Sequence, residues 1–409
     1  MRKDSQVSQH QNQTSTSYHT PMPSMQLSRS IAAGGIFVVS LDSMVNIAFP
    51  AMAATFDEPA AAMRWVIVCY VGVYALLAFA GGALGDRIGY RPVFVVGLAG
   101  SVLAYEIAAL APTFAWLLVG RAVQGLAGGL VYGTAPAIAT AGSDRRGRAR
   151  DLGFLNAALA LAFAIGPIAA GYLVSTVGWR AVFHARVPFA LIVALAALRG
   201  LPRRSTAVGV ASIRLRDIAR RPVVELGALS FVAFGGSFAI WLLAPFYIVE
   251  RLGLGTLAGG LVFMLTPLGM TAGAPLAARL LSRWSARVTA IASLIVEALG
   301  LAALAVAGSA TPLAAVALFA AGLGVGVFVV PNMAAVMGEF GAEHQGAAGG
   351  FAFLARTLGI VVGVVTWAQI FAMSRAALGF DAAFERALLA AATAVAGAAV
   401  FAALRGDGE

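Results

Sequence analysis

Of the charged residues that stand inside apolar runs of this 409-residue chain, where a charge is expensive, two are matched in depth. Asp42 belongs to LDSMVNIAFP at residues 41–50, about twelve residues into the first run; Arg121 opens RAVQG at residues 121–125, about seven residues into the fourth. At 1.5 Å per residue these depths are about 18 Å and 11 Å, counted from opposite faces of a slab about 30 Å thick, so the two reach a similar level. A charge at that level costs on the order of 3 kcal/mol, and such residues face a partner or a water-filled cavity. The chemistry open to the pair is a reversible proton. A guanidinium held close keeps the carboxylate ionised, and separating the two lets the carboxylate take a proton. A structural clamp between helices is the plainer alternative for Asp42. Asn46, one turn on, shares the face of Asp42, while Gln124, Gly128 and Tyr132 follow Arg121 at spacings of three, seven and eleven and build one polar, small-residue face.

Other candidates surround this pair. Tyr70, Asn156, Trp241, Phe246 and Tyr247 are positioned to line a substrate cavity, with helix packing or lipid contact as the alternative for the aromatics. Arg356 lies about ten residues into the eleventh run and is either cavity lining or a clamp. Glu106 and Glu297, in the third and ninth runs, fit structural bonds to neighbouring helices, although Glu106 reaches a depth at which it could compete with Asp42 for Arg121. The only cysteine, Cys69, excludes an internal disulfide, and His10, His19, His184 and His344 have no metal-ligand spacing, so neither metal nor cofactor is expected.

The elements that must carry these residues are membrane helices. The chain is 60% apolar and 11% charged, with a mean hydropathy of +0.87, beyond what a soluble fold of this length tolerates. Apolar runs fall at about 30–55, 64–85, 92–111, 114–140, 149–175 and 180–199, and again at about 223–250, 256–280, 287–308, 311–338, 346–373 and 381–404. That layout gives a disordered polar tail at 1–28, a six-helix bundle at 29–199, a basic linker at 200–221, a second six-helix bundle at 222–404 and a short tail at 405–409. The net charge of +10 is spread over loops rather than gathered with aromatics on one face, which points to topology and not to nucleic acid. Of 28 Lys and Arg, 20 fall in tails and loops on one side, 6 on the other, and Arg121 and Arg356 inside runs. The positive-inside rule then puts both termini in the cytoplasm, with the residues at 339–344 as the one loop on that side lacking Lys or Arg.

The loop at residues 82–91, GALGDRIGYR, closes the second run: an apolar stretch stops at Asp86 and Arg87, and glycines allow a tight reversal. Leu280, Arg283 and Arg287 repeat Leu84, Arg87 and Arg91 after the eighth run, a faded copy that fits two parallel six-helix repeats. The spacing G-x-L-x-D-R-x-G-x-R resembles the signature loop of the major facilitator superfamily. With RAVQG, GPIAAG at 166–171, D-x-x-x-N-x-A-x-P in the first run and GWRAVF from Gly178, the chain resembles the drug/proton antiporters of that superfamily. The first-run and GWRAVF elements look most like the branch usually drawn with fourteen spans, from which the short linker departs.

The resemblance implies an all-α polytopic membrane protein with twelve helices in two pseudo-symmetric bundles, and a transporter rather than an enzyme. It also implies proton-driven efflux of hydrophobic or cationic small molecules, drugs or antibiotics, by alternating access. Asp42 and Arg121 are then associated with proton coupling. Gly82, Asp86, Arg87, Gly89 and Arg91 are associated with gating, with Asp86 latching onto the start of the eleventh span in the outward-facing state. Gly166, Pro167 and Gly171 form a kinked, closely packed element that marks exporters. The expected partners are protons, a small-molecule substrate and the lipid bilayer, with no nucleic acid, and a monomer is expected. Arginine outnumbers lysine twenty-seven to one, which fits a GC-rich bacterial genome and hence a bacterial cytoplasmic membrane. The alternatives are a dedicated exporter of one endogenous metabolite, proton-coupled uptake, and a transport-dead sensor.

Overall fold

The computed structural model describes residues 23–202, 219–340 and 345–405. Most of the polar tail, the linker and the last tail lie outside the described residues, as does the loop at 341–344. The first helix begins at Pro23, within the stretch expected to be tail. Among the described residues the elements are helices, with no strand.

Eleven helical stretches are long and apolar enough to cross a membrane. The last, Ala348–Leu404, has 57 residues, well over twice the roughly 20 that one crossing needs. It is two spans. Gly379, at φ 79° and ψ −178°, breaks the helix, and the chain reverses there. Arg375 before the break reaches Glu250 at one end of the bundle, and Ala402 after it accepts a hydrogen bond from Arg287 at the other. The protein therefore crosses twelve times.

Span 1 comprises Pro23–Ser40, Ser43–Ile47 and Phe49–Phe56; span 2 is Arg64–Ile88, span 3 Tyr90–Ala109, span 4 Phe114–Thr140 and span 5 Arg145–Thr176. Span 6 comprises Ala181–His184 and Val187–Gly200, and span 7 is Arg221–Glu250. Span 8 comprises Thr256–Phe263 and Leu265–Leu281, followed by span 9 at Ala286–Ala305 and span 10 at Thr311–Gly338. Spans 11 and 12 share Gln345–Leu404 on either side of Gly379. Pro50, Pro188 and Pro267 each lack the amide that would bond to the residue four earlier, and the helices of spans 1, 6 and 8 restart just before them; span 1 has an earlier break at Leu41 and Asp42 that no proline adjoins. The break in span 1 places Asp42 at a helix start rather than on a helix face.

Spans 1–6 and spans 7–12 form two bundles built alike. Span 4 packs between spans 2 and 3, and span 10 between spans 8 and 9. Glycines set the distance: a Cβ on Gly133 would lie 2.1 Å from Ala78 O of span 2, and one on Gly273 would lie 2.4 Å from the Gly326 carbonyl carbon of span 10. The repeat also shows at the loops. Arg91 donates to Leu198 O in the last turn of span 6, and Arg287 donates to Ala402 O and Ala403 O in the last turn of span 12, guanidiniums answering orphan C-terminal carbonyls in each half. The halves meet through spans 5 and 8, spans 2 and 11, and spans 1 and 7.

Candidate functional site

Asp42 is the centre of a buried charge cluster. The break after Ser40 exposes its carboxylate toward spans 4 and 6, where Arg121 grips it with both terminal nitrogens, 2.5 Å to Oδ1 and 2.8 Å to Oδ2. Gln124, one turn along span 4, donates to Oδ1 at 2.8 Å and accepts from Arg121 at 2.8 Å. Arg121 is itself fixed by Val66 O of span 2 at 2.9 Å and by the Tyr70 ring, 4.5 Å beneath its guanidinium. The depth matching of Asp42 and Arg121 in the sequence therefore corresponds to a bidentate ion pair, the strongest geometry the two side chains allow.

A third charge joins them. Arg186, at the restart of span 6, donates to Asp42 Oδ1 at 3.2 Å, to the Tyr105 hydroxyl at 3.0 Å and to Val39 O at 3.4 Å, and lies 4.1 Å over the Tyr105 ring. Its side chain is fully buried. Counting Arg186 among external loop charges, as the sequence layout does, is corrected here: the short helix Ala181–His184 carries the chain inward before Arg186, so this arginine belongs to the interior. Its distance into the sixth run, close to that of Arg121 into the fourth, was the available signal.

The remaining polar face of span 4 turns toward spans 1 and 2. Gly128 faces the Tyr70 ring, and the Tyr132 hydroxyl shares a hydrogen bond of 3.1 Å with Ser40. Asn46 leaves the face of Asp42 and donates to Trp241 O of span 7 at 2.8 Å, a hydrogen bond between the halves. Two residues absent from the sequence expectations, Tyr74 and Phe353, extend the site. Tyr74 lies 5.0 Å from Tyr70, 5.4 Å from Tyr132 and 6.0 Å from Phe353 of span 11, ring centre to ring centre. Arg356 covers Phe353 at 4.7 Å and Phe234 of span 7 at 5.6 Å. A continuous run of rings thus joins the Arg121 cluster to Arg356 across the interface.

Other expected residues are placed elsewhere. Trp241 packs among Phe163, Phe238 and Phe263 where span 5 meets spans 7 and 8. Phe246 is buried in the core. The Tyr247 hydroxyl donates to Gly308 O and its ring stacks on Phe384, so this side chain serves packing inside the second half rather than the interface. Asn156 is exposed on span 5. Glu106 pairs with His184 at 3.2 Å and does not reach Arg121. Glu297 is fully buried against Gly324, and neither carboxylate oxygen has a hydrogen-bond partner among the described residues.

The gating candidates sort by end of the molecule. In the loop at 82–91, Gly89 adopts φ 96°, which a side chain would resist, and makes the reversal between spans 2 and 3 in one residue. Gly82 faces Gly133 O of span 4, Arg87 is exposed, and Asp86 accepts a hydrogen bond from Tyr90 within the same half. In span 5, a Cβ on Gly166 would lie 2.0 Å from Ser43 Oγ, next to Asp42; one on Gly171 would lie 2.6 Å from Thr256 O. Pro167 O lies 2.4 Å from where Gly260 would carry a Cβ. The element at 166–171 therefore packs against Ser43, the neighbour of Asp42, on one side and against span 8 of the other half on the other. A cavity of about 530 Å³ lies between the halves at the end opposite the loop at 82–91, lined by Glu58, Arg64 and Trp65 from one half and Phe371 and Arg375 from the other.

The sequence of residues 31–364 matches the family model described as Major Facilitator Superfamily. Among curated proteins, the methylenomycin A resistance protein of Bacillus subtilis (strain 168) is 33% identical over 216 residues, 52% of this chain and 45% of that protein. The riboflavin transporter RibZ of Clostridioides difficile (strain 630) is 22% identical over 395 residues, 83% of this chain and 87% of that protein. The chain thus spans under half the length of the resistance relative and most of the riboflavin transporter. In structure, the nucleoside transporter NupG superimposes with a TM-score of 0.76 at 14% identity, over 93% of this chain and 98% of that one, a likeness of fold alone.

Proposed function

Since the chain belongs to the major facilitator superfamily, we propose that it exports hydrophobic small molecules of antibiotic type in exchange for protons, by alternating access, across a bacterial cytoplasmic membrane with both termini inside. The observation that carries this reading is Asp42, a carboxylate within the first half held by Arg121, Gln124 and Arg186 from two other spans. The resistance relatives support efflux at the level of the family. The riboflavin transporter supports the dedicated-metabolite reading as the second choice, because the match runs over nearly its whole length.

In this reading the described arrangement is one end state of the cycle. Spans 5 and 8 are in backbone contact and Asn46 ties span 1 to span 7. Substrate entering from the cytoplasmic end rearranges the rings beside Arg121; spans 1, 4 and 6 shift, and Asp42 exchanges its guanidinium partners for a proton from outside. Only a ligand with different affinities for the two states can drive that shift.

The test uses inside-out vesicles bearing this chain, an interior-acid gradient and a pH-sensitive dye. Compounds drawn from several antibiotic classes are expected to dissipate the gradient and to accumulate inside. Accumulation without proton movement would remove the coupling, and accumulation only in right-side-out vesicles would reverse the direction.

A further inference from the structure

We propose that the substrate bound between the halves is an anion, a carboxylate or similar group on a flat apolar body, and that Arg356 receives the charged group. This rests on the efflux reading and names the substrate class of the same site. It also departs from the hydrophobic or cationic substrates that the sequence resemblance implied.

The inference comes from counting charge where the halves meet. Among the described residues, the charges joined by the run of rings are one carboxylate, Asp42, and three guanidiniums, Arg121, Arg186 and Arg356; Glu58, Arg64 and Arg375 lie apart, at the cavity at one end. Asp42 is shared by Arg121 and Arg186. Arg356, half-buried on span 11, pairs with no acid among the described residues; its guanidinium lies over the rings of Phe353 and Phe234. The buried acid of the second half, Glu297, lies toward Gly236 and span 12, whereas span 11 packs on Gly235, so it offers Arg356 no counter-charge. A ring face returns only part of what a cation loses on leaving water, and the guanidinium keeps five planar donors shaped for a carboxylate.

The surroundings fit the rest of such a ligand. From Phe353 the rings continue to Tyr74, Tyr70 and Tyr132, a wall against which a flat body can stack with its charged group on Arg356. A cation in the same place would meet a surplus of positive charge with no acid left to neutralise it. An anion leaving against an entering proton moves two charges in the same electrical sense, so an inside-negative potential accelerates the exchange. A monovalent cation leaving against one proton moves none.

The experiment uses inside-out vesicles with wild type, Arg356→Gln and Arg356→Lys, and three probes with one naphthalene body: 1-naphthoate, 1-naphthamide and 1-naphthylmethylammonium, each measured net of vesicles lacking the protein. Wild type is expected to accumulate naphthoate over the ammonium by roughly tenfold or more, the difference a charge-assisted pair makes, and faster under an interior-positive potential. Arg356→Gln should bring that ratio close to one, and Arg356→Lys should restore part of it. The inference is overturned if wild type prefers the ammonium, fails to move naphthoate, or shows the same ratio after Arg356→Gln. Movement of the ammonium or the amide without naphthoate leaves efflux standing and sinks the anion alone; failure of all three takes the efflux reading as well. Should Arg356→Gln not reach the membrane, the wild-type ratio and Arg356→Lys decide.

Discussion

Arg186 donates to Asp42 Oδ1 at 3.2 Å, the same oxygen that Arg121 holds at 2.5 Å. One carboxylate therefore ties span 1 to spans 4 and 6, and a shift of any one of the three changes which cation it meets. The arrangement is costly to assemble and sensitive to the loss of any member, because removing one partner of a buried charge group leaves the others short of compensation.

Arg186→Gln should accordingly reduce substrate-driven proton flux by about tenfold or more, and Arg186→Lys should restore little, since an ammonium lacks the fork that serves Asp42, Tyr105 and Val39 together. A double-mutant cycle with Asp42→Asn, read as thermal stability, should show a coupling of about 0.5–3 kcal/mol. Additive effects would mean that the contact has no energetic weight.

Gly166 abuts Ser43 beside the charge cluster, with 2.0 Å between its hypothetical Cβ and Ser43 Oγ but 3.3 Å to Ser43 Cβ. Gly166→Ala should cost about 1–3 kcal/mol of stability and most of the export rate through overpacking. Adding Ser43→Ala removes the offending oxygen and should return both. A double mutant as impaired as Gly166→Ala would show that the glycine is needed for something other than this contact.

Asn46 bridges the halves through Trp241 O at 2.8 Å. Asn46→Ala removes one buried hydrogen bond, about 1 kcal/mol, and should move the balance between the two end states roughly fivefold away from the described one. Spin labels at Glu58 and Ala376, which flank the cavity between the halves, should report a larger long-distance population. An unchanged distance distribution would contradict a role for this bond in holding the described state.

Much of this was legible in the residues, for identifiable reasons. Hydropathy fixes twelve spans because the bilayer sets their length, and the depths of Asp42 and Arg121 follow from helical rise alone. Arg186 was hidden because a charge a few residues inside a run reads as interfacial; only the break at Pro188 and the short preceding helix turn it inward. Tyr74 and Phe353 carry no sequence signal, since aromatic residues on membrane helices look alike until the two halves are brought together. Tyr247 illustrates the converse: it lies close in sequence to Trp241, yet its hydroxyl and ring are both consumed inside the second half. The polar tail and the linker were read from composition, and most of both lies outside the described residues.

The most direct test of the account is Asp42→Asn, purified and reconstituted, with binding and proton movement measured on the same sample. An accepted substrate should still bind, because the ring wall and Arg356 are intact, while substrate-driven proton flux disappears. Proton flux at the wild-type rate with asparagine in place would contradict the account, since no proton could then be carried at position 42.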